Sequence, residues 1–130
     1  MKKERNWEKI YVAVDLHGVI CPPDYKKSGE HTDFYPYAKE TLQMLSKRKD
    51  VCLILWTCSY PNELKETLLW LKDNDIKMDY VNENPECHST RLGDFSKKFW
   101  AAVILDDKAG FEGETDWKLV KEEFQKHLEG

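Results

Sequence analysis

The sequence predicts a single three-layer α/β domain with a mainly parallel sheet, and three observations carry that expectation. Three apolar runs, IYVAV before Asp15, VCLILW before Thr57 and AAVIL before Asp106, lack polar alternation, as strands covered on both faces do. Segments of helical spacing lie between and after them. No repeat, low-complexity tract or linker interrupts the 130 residues, a length that suits one core. Alternation of this kind gives a Rossmann-like arrangement, a parallel sheet between helix layers.

The first strand, Ile10 to Asp15, is apolar until it stops on an acid. The longest non-periodic stretch follows, CPPDYKKSGEHTDFYP over 21–36, and it is too short for an inserted domain. In YAKETLQMLSKRK, Ala38, Leu42 and Leu45 share a helical face, and the cluster Lys47-Arg48-Lys49 falls at the helix end, where cations meet a favourable dipole. The second strand leads into PNELKETLLWLKDN, where Leu64, Leu68 and Leu71 align and Pro61 suits a first turn. DYVNENP reads as a short strand entering a loop, followed by an irregular or helical segment and the AAVIL strand. In the tail, Trp117, Val120, Phe124 and Leu128 form a core-facing stripe, with Thr115 or Asp116 as its N-cap.

Composition excludes several function classes. Lys and Arg number 20 against 24 Asp and Glu, and the signs are interleaved, so the net charge of −4 gives no general affinity for nucleic acid or an anionic membrane. The N-terminal MKKERNWEKI lacks the apolar stretch of a signal peptide, and no run approaches membrane-spanning length, which makes the cytoplasm the expected location. Cys21, Cys52, Cys58 and Cys87 have no CxxC spacing and read as thiols rather than a disulfide framework.

The polar residues at the strand ends point to chemistry. In an open parallel sheet, function gathers beyond the carboxyl ends of the strands. Those ends carry Asp15, then Thr57 with Cys58 and Ser59, then Asp106 with Asp107. Clustered carboxylates resist joint ionisation unless a cation sits among them. Oxygen ligands of this hardness suit Mg²⁺, which uses one or two carboxylates together with substrate phosphate. An acid nucleophile, a cation and a hydroxyl donor together make phosphoryl-transfer apparatus. Asp15 could also merely close a strand, and Thr-Cys-Ser is good capping chemistry. An acid ending a buried run is nevertheless unusual. A lysine completes such a set, and Lys97 and Lys98 lie just upstream of the last strand.

This pattern resembles the haloacid dehalogenase superfamily of phosphohydrolases across nearly the whole chain. VAVDLHGVI is similar to its first motif, with Asp15 as nucleophile and Gly18 at the turn; LILWTCS resembles the second, with Thr57. SKKFWA offers the lysine, Lys98 with Lys97 as the alternative, and VILDDKAG supplies the acidic pair Asp106 and Asp107. Small capless hydrolase-like members of bacterial and phage type look most similar. The resemblance implies a two-step hydrolysis through an aspartyl-phosphate on Asp15. It also implies Mg²⁺ held by Asp15, Asp106, Asp107 and the main-chain carbonyl of His17. Phosphate contacts would come from Thr57, Cys58, Gly18 and Lys98.

The departure from the pattern is His17, where phosphatases of the superfamily usually carry the acid/base Asp. Imidazole titrates around neutrality and can move protons. Three readings therefore stand open: a phosphatase using His17, a catalytically impaired phosphate-binding or interaction module, and a phosphotransferase to an acceptor other than water. The expected partner is a phosphorylated substrate of unknown identity, and Lys26, Lys27 and His31 are candidates for leaving-group contacts.

Overall fold

The computed structural model describes residues 9–22 and 33–128. Lys26, Lys27 and His31 lie outside the described residues. Four strands, β1 (Ile10–Asp15), β2 (Val51–Trp56), β3 (Tyr80–Val81) and β4 (Val103–Leu105), form one sheet in the order β3-β2-β1-β4. Every pairing is parallel. Helices α1 (Ala38–Ser46), α2 (Pro61–Asp73) and α3 (Gly113–Leu128) connect or follow the strands, with a single 3-10 turn at Asp107–Ala109 before α3. The chain is thus α/β, and the described residues form a Rossmann-like unit.

Alternation along the strands splits the core in two. Ile10, Val12 and Val14 of β1 and Val51, Leu53 and Leu55 of β2 face one side. There they meet Ala38, Leu42 and Leu45 of α1, Leu71 of α2, and Trp117, Phe124 and Leu128 of α3. All three helical stripes therefore do what their spacing predicts. Each fully buried Leu or Phe contributes about 1.5–3 kcal/mol relative to exposure, so this face carries most of the stability.

Tyr11, Cys52 and Ile54 face the other side, and the layer over them is not helical. It consists of the irregular chain between β3 and β4, through Cys87, Phe99 and Trp100. A polar clamp fixes this chain. Glu86 accepts hydrogen bonds from Tyr80 Oη at 2.7 Å and Tyr11 Oη at 3.3 Å, and pairs with Lys9 Nζ at 3.0 Å. Partial burial raises the Glu86 carboxyl, but these donors outweigh it and hold it below the usual carboxylate range. Asn84, itself buried, donates from Nδ2 to the Trp100 carbonyl at 2.7 Å.

Several details differ from the sequence expectation. β4 covers only three residues of AAVIL, and Ile104 is 52% exposed, because β4 is an edge strand with one face open. Ala102 still donates its N–H to the Tyr11 carbonyl at 2.8 Å. Helix α1 stops at Ser46 with no basic residue in its last turn. The basic cluster instead makes ion pairs: Lys47 reaches Asp75 at 2.7 Å, and Arg48 meets Asp50 at 2.8 Å and the Leu128 carbonyl at 2.8 Å. Helix α3 begins before both expected caps. Asp116 lies in its first turn and accepts the Glu112 N–H at 2.8 Å, stabilising the start from inside. No disulfide joins the four cysteines, and no described helix is long and apolar enough to cross a membrane.

Candidate functional site

The register of the sheet assembles the site. Asp15 pairs with Trp56 across β1 and β2, and Val14 pairs with Leu105 across β1 and β4. The next residues along, Asp15 and Asp106, therefore leave adjacent strand ends together. One oxygen from each of Asp15, Asp106 and Asp107 lies within 4.8 Å of the others.

Local hydrogen bonds set these carboxylates. Asp15 Oδ1 accepts the Leu16 N–H at 2.8 Å, and Asp106 Oδ1 accepts the Lys108 N–H at 2.9 Å, capping the 3-10 turn. After Asp15 the chain makes a helical turn in which the Ile20 N–H meets the Leu16 carbonyl at 2.9 Å. Gly18 sits within that turn at φ +84°, where a side chain would be strained, and a Cβ there would lie 2.7 Å from Asp107 Oδ2. The turn is held from below by Trp117, whose Nε1 donates to the Val19 carbonyl at 2.5 Å.

Burial pushes the Asp15 carboxyl up to about 7; the Leu16 N–H opposes this, while Asp106 and Asp107 add to it. Asp107 moves the other way. Its slight desolvation is outweighed by hydrogen bonding with Asp15 and Asp106 and by the Lys108 charge, so it stays below the usual range. The two carboxyls are thus driven apart, Asp15 towards the protonated form and Asp107 towards the ionised one.

A cleft of about 360 Å³ opens over this cluster. Asp15, His17, Asp107 and Lys108 line one wall, and Thr57, Cys58, Ser59, Tyr60 and Glu63 the other. Thr57 follows β2, and Pro61 opens α2, so the second wall ends in a helix N-terminus with its partial positive charge. The Thr57 hydroxyl lies 2.9 Å from Ser59 Oγ and accepts the Ser59 N–H at 3.2 Å.

The structure brings Asp15, His17, Thr57, Cys58 and Asp107 to one cleft, with Asp106 in the carboxylate cluster beneath. Gly18 adjoins it through Asp107. Lys97 and Lys98 line a neighbouring cavity of about 240 Å³, with Ala13, Trp56, Phe99 and Asp106 of the carboxylate cluster. The lysine in the main cleft is Lys108, which the sequence reading passed over although it directly follows the acidic pair. Asn82 was also missed. At φ 56° just past β3, its side chain bonds both main-chain groups of Thr57, and no spacing rule announces such a contact.

No protein-family model matches the chain, and no curated protein sequence matches it. Among solved structures it is similar to a conserved protein coded by a locus of Bacteroides thetaiotaomicron, with a TM-score of 0.70 and 25% identity. That likeness covers 94% of this chain and 93% of the other. What the two chains share at that level is the α/β fold and its parallel sheet.

Proposed function

We propose that this protein is a Mg²⁺-dependent phosphohydrolase that works through an aspartyl-phosphate on Asp15. The observation that carries the reading is the convergence of the Asp15, Asp106 and Asp107 oxygens within 4.8 Å, beside a cleft lined by Asp15, Asp107, Thr57 and the start of α2. Three carboxylates this close are a donor set for a small hard cation, and one hydroxyl beside a helix N-terminus is a donor set for phosphoryl oxygens. The motif order resembling the haloacid dehalogenase superfamily supports the same conclusion.

In this reading Asp15, Asp106, Asp107 and the His17 carbonyl would hold Mg²⁺. The cation would supply charge neutralisation for phosphoryl oxygens approaching an anionic nucleophile. An Asp15 carboxylate oxygen attacks phosphorus as the bond from phosphorus to the leaving oxygen breaks. His17 gives a proton to that oxygen. Water then attacks the aspartyl-phosphate and yields a proton to His17, releasing phosphate and restoring the Asp15 carboxylate. Thr57 Oγ1 and the main chain at Cys58 orient the phosphoryl group. Lys108, which lines the cleft, offsets its charge.

The test is Mg²⁺-dependent phosphate release from an aryl phosphate by the wild type, Asp15→Asn and His17→Asp. Turnover in the wild type that Asp15→Asn abolishes is expected. Absence of turnover in both the wild type and His17→Asp would sink the proposal. His17 also favours a second reading, a phosphate-binding module with a persistent phospho-aspartate, because a carboxyl usually stands there in phosphatases of the superfamily. A large rise in turnover confined to His17→Asp would select it.

A further inference from the structure

We propose that Asn82 is a positioning residue that fixes the phosphoryl-binding wall of the cleft by acting as one more rung of the sheet. The proposal rests on the phosphohydrolase reading for its functional half and on geometry for the rest.

β2 ends at Trp56 and β3 at Val81, so the main-chain groups of Thr57 fall beyond the backbone ladder. At this half-exposed strand end such groups can bond to water, but here one side chain engages both. Asn82 Oδ1 accepts the Thr57 N–H at 2.8 Å, and Asn82 Nδ2 donates to the Thr57 carbonyl at 2.8 Å. The carboxamide copies the donor and acceptor of a peptide unit, extending the β2–β3 pairing by a residue that β3 itself does not reach. The Asn82 N–H meanwhile bonds the Leu55 carbonyl at 2.8 Å, so its backbone is anchored before its side chain is spent.

The conformation fits this use. Asn82 has φ 56°, a left-handed geometry that Asn tolerates better than most residues and that ends the strand at once. Turned this way, its side chain points back at β2. No other side chain matches it: Asp lacks the donor, Gln is one methylene longer, and Gly fits the backbone but has no amide.

The consequence reaches the chemistry through Thr57. The hydroxyl of Thr57 is oriented by Ser59, through Oγ at 2.9 Å and N–H at 3.2 Å, but that local loop moves with the Thr57 backbone. Asn82 ties the backbone to the sheet that also carries Asp15. The distance between nucleophile and phosphoryl donors thus depends on a residue that touches neither substrate nor cation.

Asn82→Gly removes the amide while keeping the backbone free to hold a positive φ, and Asn82→Asp keeps the acceptor but not the donor. Two readouts separate the claims. In hydrogen exchange, the Thr57 amide should be protected in the wild type and exchange at least tenfold faster in Asn82→Gly, with core amides of β1 unchanged. With Mg²⁺ and aryl phosphate, kcat/KM should fall by roughly 10- to 100-fold, as expected for misplaced groups, at an unchanged thermal midpoint. Inorganic phosphate with Mg²⁺ should shift the Thr57 amide resonance in the wild type, less so in either variant.

Unaltered Thr57 exchange in Asn82→Gly overturns the clamp. Faster exchange with kcat/KM and the phosphate response within twofold of wild type overturns its functional role. A wild type with neither turnover nor a phosphate response overturns the phosphohydrolase reading itself, and the exchange data then show the clamp as architecture alone.

Discussion

Gly18 and Asp107 pack so closely that residue 18 has no room for a side chain: a Cβ would stand 2.7 Å from Asp107 Oδ2. Gly18→Ala must therefore rotate the Asp107 carboxylate away, besides placing Ala at φ +84°. The backbone strain costs about 1–2 kcal/mol. The larger effect should be on the site, with Mg²⁺-dependent turnover reduced more than tenfold while the fold persists. A thermal melt paired with phosphate-release kinetics checks both halves.

Asp15 links pH to stability in the metal-free protein. Its carboxyl is raised from 3.8 to about 7, so the folded state binds a proton that the unfolded state releases. Stability from this group is full below about pH 4, declines as pH rises, and is lost above about 7. Asp15→Asn removes that dependence. In EDTA, the variant should gain on the wild type as pH rises from 5 to 8. Mg²⁺ should narrow the gap by stabilising the wild type more than the variant, which keeps Asp106 and Asp107 but lacks the Asp15 charge. Urea midpoints at the two pH values, with and without Mg²⁺, measure it; a constant difference between the proteins would contradict the assignment.

Lys108 and Lys98 line different cavities, and their alanine variants should part accordingly. Lys108→Ala removes the cation from the cleft wall and should lower kcat/KM by about 10- to 100-fold. Lys97→Ala and Lys98→Ala should each cost less than Lys108→Ala. The reverse order would return the phosphoryl-facing role to the residues upstream of β4.

Trp117 supports the turn after Asp15 from beneath. It is fully buried, and Nε1 donates to the Val19 carbonyl. Trp117→Phe takes away that donor and leaves part of the indole volume empty, which should cost about 2–4 kcal/mol. A fall of roughly 10 °C in the thermal midpoint is expected. Calorimetry settles it.

The long apolar runs and helical stripes were legible because burial imposes a period on sequence. β1, β2 and the faces of α1, α2 and α3 follow from Val, Ile and Leu at the right intervals. Asp15, Thr57 and Asp106 were legible for a related reason: a polar residue terminating an apolar run marks the strand end where parallel sheets expose groups. Less could be read where contacts join distant segments. The irregular layer holding Phe99 and Trp100 has no periodicity, and the Glu86 bond to Tyr11 bridges 75 residues, a separation that spacing does not encode. Asn82 sits 25 residues from Thr57, and order along the chain does not reveal that Lys98 borders the carboxylate cluster through Asp106 while Lys108 lines the cleft. The α3 cap was misplaced because Asp116 serves Glu112 from within the first turn rather than from ahead of it.

Asp15 and Asp106 each have one oxygen already engaged by a main-chain N–H, from Leu16 and Lys108. Those bonds compete with a cation for one oxygen of each carboxylate, so a grip by both oxygens of either group is discouraged. Large ions such as calcium collect about six to eight oxygens and welcome such two-point grips, whereas magnesium accepts single contacts and retains waters. Discrimination between the two ions would then originate in a pair of backbone amides that never meet the metal.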